Sequence, residues 1–391
     1  MSTSSWMFGA LLLFLGTAAS AQTHPCPPQW HPRFNVDATL YPYAHQCFKT
    51  AVGMMHFLDE GPQDTAQTLV LVHGGGTWSA LFRQVVQEGI AHGYRVIAPD
   101  LIGHGLSARP SAQAFPYTAS AQARILEQFL LGLDVRGVTL VLHEWGGPLG
   151  LWFAERHPDR VSRVVLSNTW AWAVSARNPG DYAWLVNASK LAHWNQASYI
   201  ADCTLPRKVS STIAASVDPT GGALAQSVLH LYLDAWIDPT TGAPYTSDAC
   251  TAPTVLAEGI LDEAGWLYSV EAGLGALQAA PQFYVFGRND PLFGDRRCDI
   301  SGSSATCPNG DLCVCNANYL TPDQSCANAP SSAPNAWICS DPVTQRAIMP
   351  AIDRFTSDLE NQSLVGQSPL DQCLQFDVLL DRLRRHRTLA L

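Results

Sequence analysis

Short, strongly apolar runs bounded by glycine, proline or charge recur along the chain and set its architecture. Thr68-Leu69-Val70-Leu71-Val72, Tyr94-Arg95-Val96-Ile97-Ala98-Pro99, Val138-Thr139-Leu140-Val141-Leu142, the run from Val161 to Ser167, and Phe283-Tyr284-Val285-Phe286 are all of strand length and mostly rich in β-branched residues. Between them, residues 79–92, residues 117–133 and the stretch from Leu151 onward carry helical spacing. Strands alternating with helices at these distances predict a parallel sheet with right-handed crossovers. Ahead of this block, Gln46 to Glu60 reads as two strands around Gly53. From residue 173 to about 272 the strand pattern disappears while Trp and Leu recur, which predicts a layer of helices over one end of the sheet.

The chemistry gathers where the central strand stops. In Val138-Thr139-Leu140-Val141-Leu142-His143-Glu144-Trp145-Gly146-Gly147 an apolar run ends at an acid, two glycines follow, and a helix begins. A strand, a sharp turn and a helix make a nucleophile elbow, with the tip residue Glu144 raised above the sheet edge and Gly146 letting the backbone pass close by. The loop after the first parallel strand, His73-Gly74-Gly75-Gly76-Thr77-Trp78-Ser79, has the glycines that free backbone N–H groups to face a developing negative charge. Asp100 leads into Gly103-His104-Gly105-Leu106-Ser107, and Asp290 closes a Gly-x-x-Asp-Pro turn after Phe286.

In this order, the glycine loop, the Gly-x-Gly-x-Ser loop, the Glu-Trp-Gly-Gly elbow and the Asp-Pro turn resemble the haloalkane dehalogenases and their epoxide hydrolase relatives, within the α/β-hydrolase fold. The resemblance covers most of residues 38–294. It implies an α/β-hydrolase fold with a mostly parallel sheet, a helical cap and here a Cys-rich insert. It also implies a two-step reaction in which a carboxylate attacks a small apolar electrophile to give an alkyl-enzyme ester, which water then hydrolyses. On that pattern Glu144 is the nucleophile, Gly75 and Trp145 supply oxyanion or halide contacts, and Asp290 is the acid that orients a histidine. The chain departs from the family in three places. Glu replaces the elbow Asp, Gly75 replaces the side-chain halide donor and so offers only its N–H, and Gln367 or Ser368 falls where the catalytic histidine belongs. His386, the only histidine after Asp290, lies in a basic tail. The reading therefore stays open between a hydrolase whose base is unidentified and a catalytically impaired pseudoenzyme that binds an apolar ligand or a protein partner. His104 and His143 read as structural, and Trp170, Trp172, Trp184, Trp194, Trp236 and Trp266 as core or pocket lining.

Composition places this chemistry. The chain has 391 residues with 47% hydrophobic content, enough for one large domain with insertions. A formal charge of −10, with basic residues clustered only at 382–387, argues against nucleic acid as a partner. Residues 1–21 read as a secretory signal ending in Ala19-Ser20-Ala21, so the mature chain is expected to be secreted or periplasmic with no membrane partner. All 11 cysteines follow that segment, as export into an oxidising compartment would require, and six crowd residues 298–339 without a CxxC pair or a neighbouring histidine. Neither a metal nor a cofactor is called for. The expected divisions are the signal at 1–21, hydrolase core at 22–172, helical cap at 173–272, the acid strand and turn at 273–297, the Cys-rich insert at 298–339, and a final core part at 340–391.

Overall fold

The computed structural model describes residues 24–28, 34–171, 173, 183–277, 280 and 282–285. The signal segment, Asp290, the Cys-rich insert, Gln367, Ser368 and His386 lie outside the described residues. Among the described residues, seven strands form one sheet in the order β1-β2-β4-β3-β5-β6-β7. They are β1 (Gln46–Thr50), β2 (Gly53–Glu60), β3 (Thr68–Val72), β4 (Arg95–Pro99), β5 (Val138–Glu144), β6 (Val161–Thr169) and β7 (Gln282–Val285). The β1–β2 and β2–β4 pairs are antiparallel, and every pairing from β4 to β7 is parallel. The hairpin turns at Ala51-Val52, and Gly53, at φ +139°, opens β2. β3 and β4 are buried almost throughout, which is why they read as continuous apolar runs and not as alternating ones.

The helices α1 (Arg83–Ala91), α2 (Ala119–Gly132) and α3 (Gly146–Arg156) link the parallel strands. The chain runs outward from β3 to β4, then crosses back to β5 on the other side of β3. Right-handed crossovers therefore put α1 and α3 on opposite faces, and the loops after β3 and β5 diverge at this reversal. In open α/β sheets such a reversal, at the C-terminal strand ends, is where ligands bind. Among the described residues, six further helices lie between β6 and β7: α4 (Ala183–Trp194), α5 (Gln196–Ala201), α6 (Thr204–Val217), α7 (Ala223–Leu233), α8 (Thr251–Asp262) and α9 (Ala264–Gly273). A disulfide joins Cys203, just ahead of α6, to Cys250, just ahead of α8, and a second joins Cys26 to Cys47 of β1. No described helix is long and apolar enough to cross a membrane.

One buried charge fixes the loop that follows β4. Asp100 is fully buried. It accepts from Ser79 N at 2.8 Å and Leu106 N at 2.8 Å, and pairs with His56 Nδ1 at 2.9 Å. Burial pushes its carboxyl up, but the charge and hydrogen bond of His56 and the Leu106 N–H outweigh it and hold the group at about 2. Gly105, at φ +46°, is required here because a Cβ would come within 2.3 Å of Asp100 Oδ2.

Candidate active site

Glu144 ends β5 with φ +52°, a left-handed conformation that costs a non-glycine residue about 1–2 kcal/mol. Close packing compels the turn. Behind the tip, a Cβ on Gly146 would lie 2.0 Å from the Val72 carbonyl oxygen, and one on Gly147 would lie 1.7 Å from Thr169 Oγ1. The Thr169 hydroxyl in turn donates to the Glu144 carbonyl at 2.5 Å, on the β6 residue that pairs with Glu144 across a register shift. Strand, turn and helix are thus locked together by two glycines and one threonine.

The Glu144 carboxylate folds back over the β3 loop. Its Oε2 accepts from Gly75 N at 2.6 Å and from Trp145 N at 2.7 Å. These are charge-assisted hydrogen bonds of the short, strong kind. Trp145 N also belongs to the leading end of α3, where unpaired N–H groups and the helix dipole favour an anion. Three of the sequence-predicted site residues, Glu144, Gly75 and Trp145, therefore meet at one oxygen atom. The fourth, Asp290, lies outside the described residues.

Two neighbours that the sequence reading passed over make this contact possible. Gly74 leaves room for the carboxylate, since a Cβ there would sit 2.0 Å from Oε2 and 2.5 Å from the Glu144 Cβ. His73 aims the Gly75 donor. Its Nε2 accepts from Leu101 N at 2.9 Å, so Nδ1 carries the proton and donates to the Gly74 carbonyl at 2.7 Å. Thr77 Oγ1 donates to the same carbonyl at 3.3 Å. In a planar trans peptide the carbonyl and the following N–H point opposite ways, so fixing Gly74 O turns Gly75 N–H onto Glu144. Burial holds the His73 imidazole below its ordinary range, which keeps the neutral tautomer that this arrangement needs. The triple glycine was the available signal, with a plain tight turn as its alternative reading.

The surrounding wall is aromatic and aliphatic. Trp145 is buried and meets Trp170 edge-to-face, ring centroids 4.8 Å apart. From the helical layer, α8 brings Gly259 against the Trp145 ring and Leu256 over Gly75, while Val209 of α6 lies over Gly76. Of the tryptophans considered as lining, Trp236 is wholly buried and Trp194 is 72% exposed, so Trp194 lines nothing internal. His143 Nδ1 pairs with the Ser167 carbonyl at 3.0 Å, and His104 Nδ1 lies 3.3 Å from the Ile102 carbonyl.

A strained acid at the strand–helix elbow, held by two backbone donors at the sheet reversal beneath a helical cap, defines the class. The chain belongs to the alpha/beta hydrolase fold family, whose model matches residues 67–316. Within it, the chain is similar to haloalkane dehalogenase 2 of Mycobacterium tuberculosis, at 37% identity over 139 residues, 36% of this chain and 46% of that protein. It is also similar to a cis-3-alkyl-4-alkyloxetan-2-one decarboxylase of Shewanella oneidensis, at 34% identity over 142 residues, 36% of this chain and 43% of that protein. The chain thus spans about half the length of the curated relatives it matches. Among solved structures, haloalkane dehalogenase DpaA of Paraglaciecola agarilytica NO2 superposes with a TM-score of 0.51 at 19% identity, covering 67% of this chain and 84% of that one, a likeness of fold.

Proposed function

We propose that this haloalkane dehalogenase-like protein hydrolyses small apolar electrophiles through an alkyl-enzyme ester on Glu144. The observation that carries the reading is the placement of Glu144 Oε2 between Gly75 N and Trp145 N, at 2.6 and 2.7 Å. The extra methylene of Glu is absorbed by folding over Gly74, so the carboxylate keeps both donors. With Oε2 held, Oε1 attacks the carbon; the C–Oε1 bond forms as the bond to the leaving group breaks, and the leaving group takes the electron pair. Oε2 is then the ester carbonyl oxygen. When water adds, charge develops on Oε2, where the same two N–H groups already point. Asp290, paired with a base still to be identified, is assigned the activation of that water.

The names of the two curated relatives point to the substrate class. A haloalkane offers a carbon–halogen bond, and an oxetan-2-one offers a strained ring; both are small, uncharged electrophiles suited to the Trp145, Trp170 and Leu256 wall. Export to an oxidising compartment accords with the disulfides Cys26–Cys47 and Cys203–Cys250. The test is restoration of the family's pair. The double change Glu144→Asp and Ser368→His is expected to raise halide release from a 1-bromoalkane well above that of either single change. If the double variant folds yet releases no more halide than the parent, the assigned register is wrong, and ligand binding without turnover becomes the better reading.

A further inference from the structure

Away from the elbow, α4 and α8 bring three side chains together on the cap. His193 is the next-to-last residue of α4, and Glu258 and Asp262 stand one turn apart on α8. One nitrogen of His193 and one carboxylate oxygen from each acid all lie within 4.8 Å of one another. His193 Nδ1 and Asp262 Oδ2 are 3.5 Å apart. The middle residue is the unusual one. Glu258 is only 5% exposed; its Oε2 accepts from Gln196 Nε2 at 2.8 Å, but its buried Oε1 has no hydrogen-bond partner among the described residues.

A buried carboxylate oxygen with no donor is costly, on the order of 1–3 kcal/mol or more. The site can relieve that cost with a proton or a cation. Three features select the cation: an imidazole nitrogen faces the carboxylates, a second carboxylate stands one turn away, and the two outer ligands are surface side chains free to adjust. Around a tetrahedral ion with ligand bonds of about 2.1 Å, donor atoms sit about 3.4 Å apart. Rotations of His193 and Asp262, whose side chains are 61% and 53% exposed, close the remaining gap.

We propose that His193, Glu258 and Asp262 form a site for a divalent cation of the zinc class, with water completing the shell. A mixed imidazole and carboxylate set suits that class better than magnesium or calcium, which prefer all-oxygen shells. The ion would clamp α4 to α8, which are already joined by the hydrogen bond from Ser189 Oγ to the Glu258 carbonyl at 2.8 Å. The neighbouring residue Gly259 rests on Trp145, so the clamp fixes the part of the cap that covers the elbow. No sequence motif marks the site because the histidine and the acids come from helices far apart in the chain.

The experiment titrates the full, disulfide-intact, metal-stripped chain with Zn²⁺ alone by calorimetry, beside His193→Ala, Asp262→Asn and Glu258→Gln. The parent is expected to bind one more equivalent than His193→Ala, or to bind that equivalent at least about 10-fold more tightly, since even outer-shell changes cost 10–100-fold. Hydrogen exchange in α4 and α8 slows with zinc in the parent alone. His193 and Asp262 are surface positions, so these variants fold and report even if Glu258→Gln does not. Equal zinc uptake by the parent and both surface variants, including none by any of them, overturns the proposal.

Discussion

Replacing Gly74 and Gly75 by alanine, one at a time, applies the same methyl group to adjacent residues of one loop and sets packing against placement. At Gly74 the added Cβ meets Glu144 Oε2 at 2.0 Å, Cβ at 2.5 Å and Cδ at 2.9 Å. Real Cβ contacts start near 3.0 Å, so the carboxylate must retreat by about 1 Å. That displacement weakens two charge-assisted hydrogen bonds, each worth about 1.5–3 kcal/mol, and forces close packing elsewhere at a further cost of about 1–3 kcal/mol. At Gly75 the nearest atoms to the new Cβ are 3.6–3.8 Å away, ordinary contact. There alanine fits and narrows the unfolded ensemble, an effect between neutral and about 1 kcal/mol stabilising. Urea unfolding followed by circular dichroism reads the difference. Gly74→Ala should lower the midpoint clearly and Gly75→Ala should leave or raise it. If an alkyl adduct forms, its rate on Gly74→Ala should fall on the order of 10²-fold, the penalty for a misplacement of this size. Equal midpoints, or Gly75→Ala the more damaging, would refute the assignment of Gly74 as the space that Glu144 needs.

Two further perturbations probe the frame around the site. Glu155 on α3 lies against Gly273 of α9 with Oε2 buried and without a hydrogen-bond partner among the described residues, and burial pushes its carboxyl from 4.5 up to about 8, against the opposing charge of Arg156. The folded state therefore holds this proton more tightly than the unfolded one. Its contribution to stability is whole below pH 4.5 and is lost as pH rises through about 8. Glu155→Gln should flatten that decline and raise the unfolding midpoint above pH 8; an unchanged pH profile would show that Glu155 is not the group responsible. The Cys203–Cys250 disulfide spans 47 residues and encloses α6 and α7, so the paired change to alanine should cost about 4 kcal/mol on the loop-entropy model. Hydrogen exchange should then quicken in α6 and α7 while β3 to β6 keep their protection, and uniform loss across the molecule would contradict a cap stabilised locally.

The parts of the site legible in the sequence are those whose geometry is set over a few residues. The elbow was readable because a strand ending in Glu144-Trp145-Gly146-Gly147 has few ways to turn into a helix, and Gly75 because glycines after a strand expose their N–H groups. The parallel strands were readable because burial on both faces turns them into apolar runs. His73 was not readable as the group that aims Gly75, because its partners, Leu101 N and Gly74 O, meet only when the loops after β3 and β4 pack together. The same holds for Thr169, which reaches the Glu144 carbonyl through sheet register. The pairings Cys26–Cys47 and Cys203–Cys250 could not be chosen among 11 cysteines by spacing alone. Departures from the family at Glu144 and Gly75 were visible in sequence. That the longer side chain still reaches both donors was not, since it depends on the room left by Gly74.

On the proposed mechanism, Glu144 is a carboxylate nucleophile held by Gly75 and Trp145. The most direct test is intact mass followed by peptide mapping of the full chain after incubation with a short 1-bromoalkane, beside Glu144→Gln. One alkyl group is expected on the Glu144 peptide, or bromide released with turnover when a base completes the cycle, and neither with Glu144→Gln. An unmodified parent that releases no bromide across a series of such electrophiles, or an adduct that persists in Glu144→Gln, would contradict it.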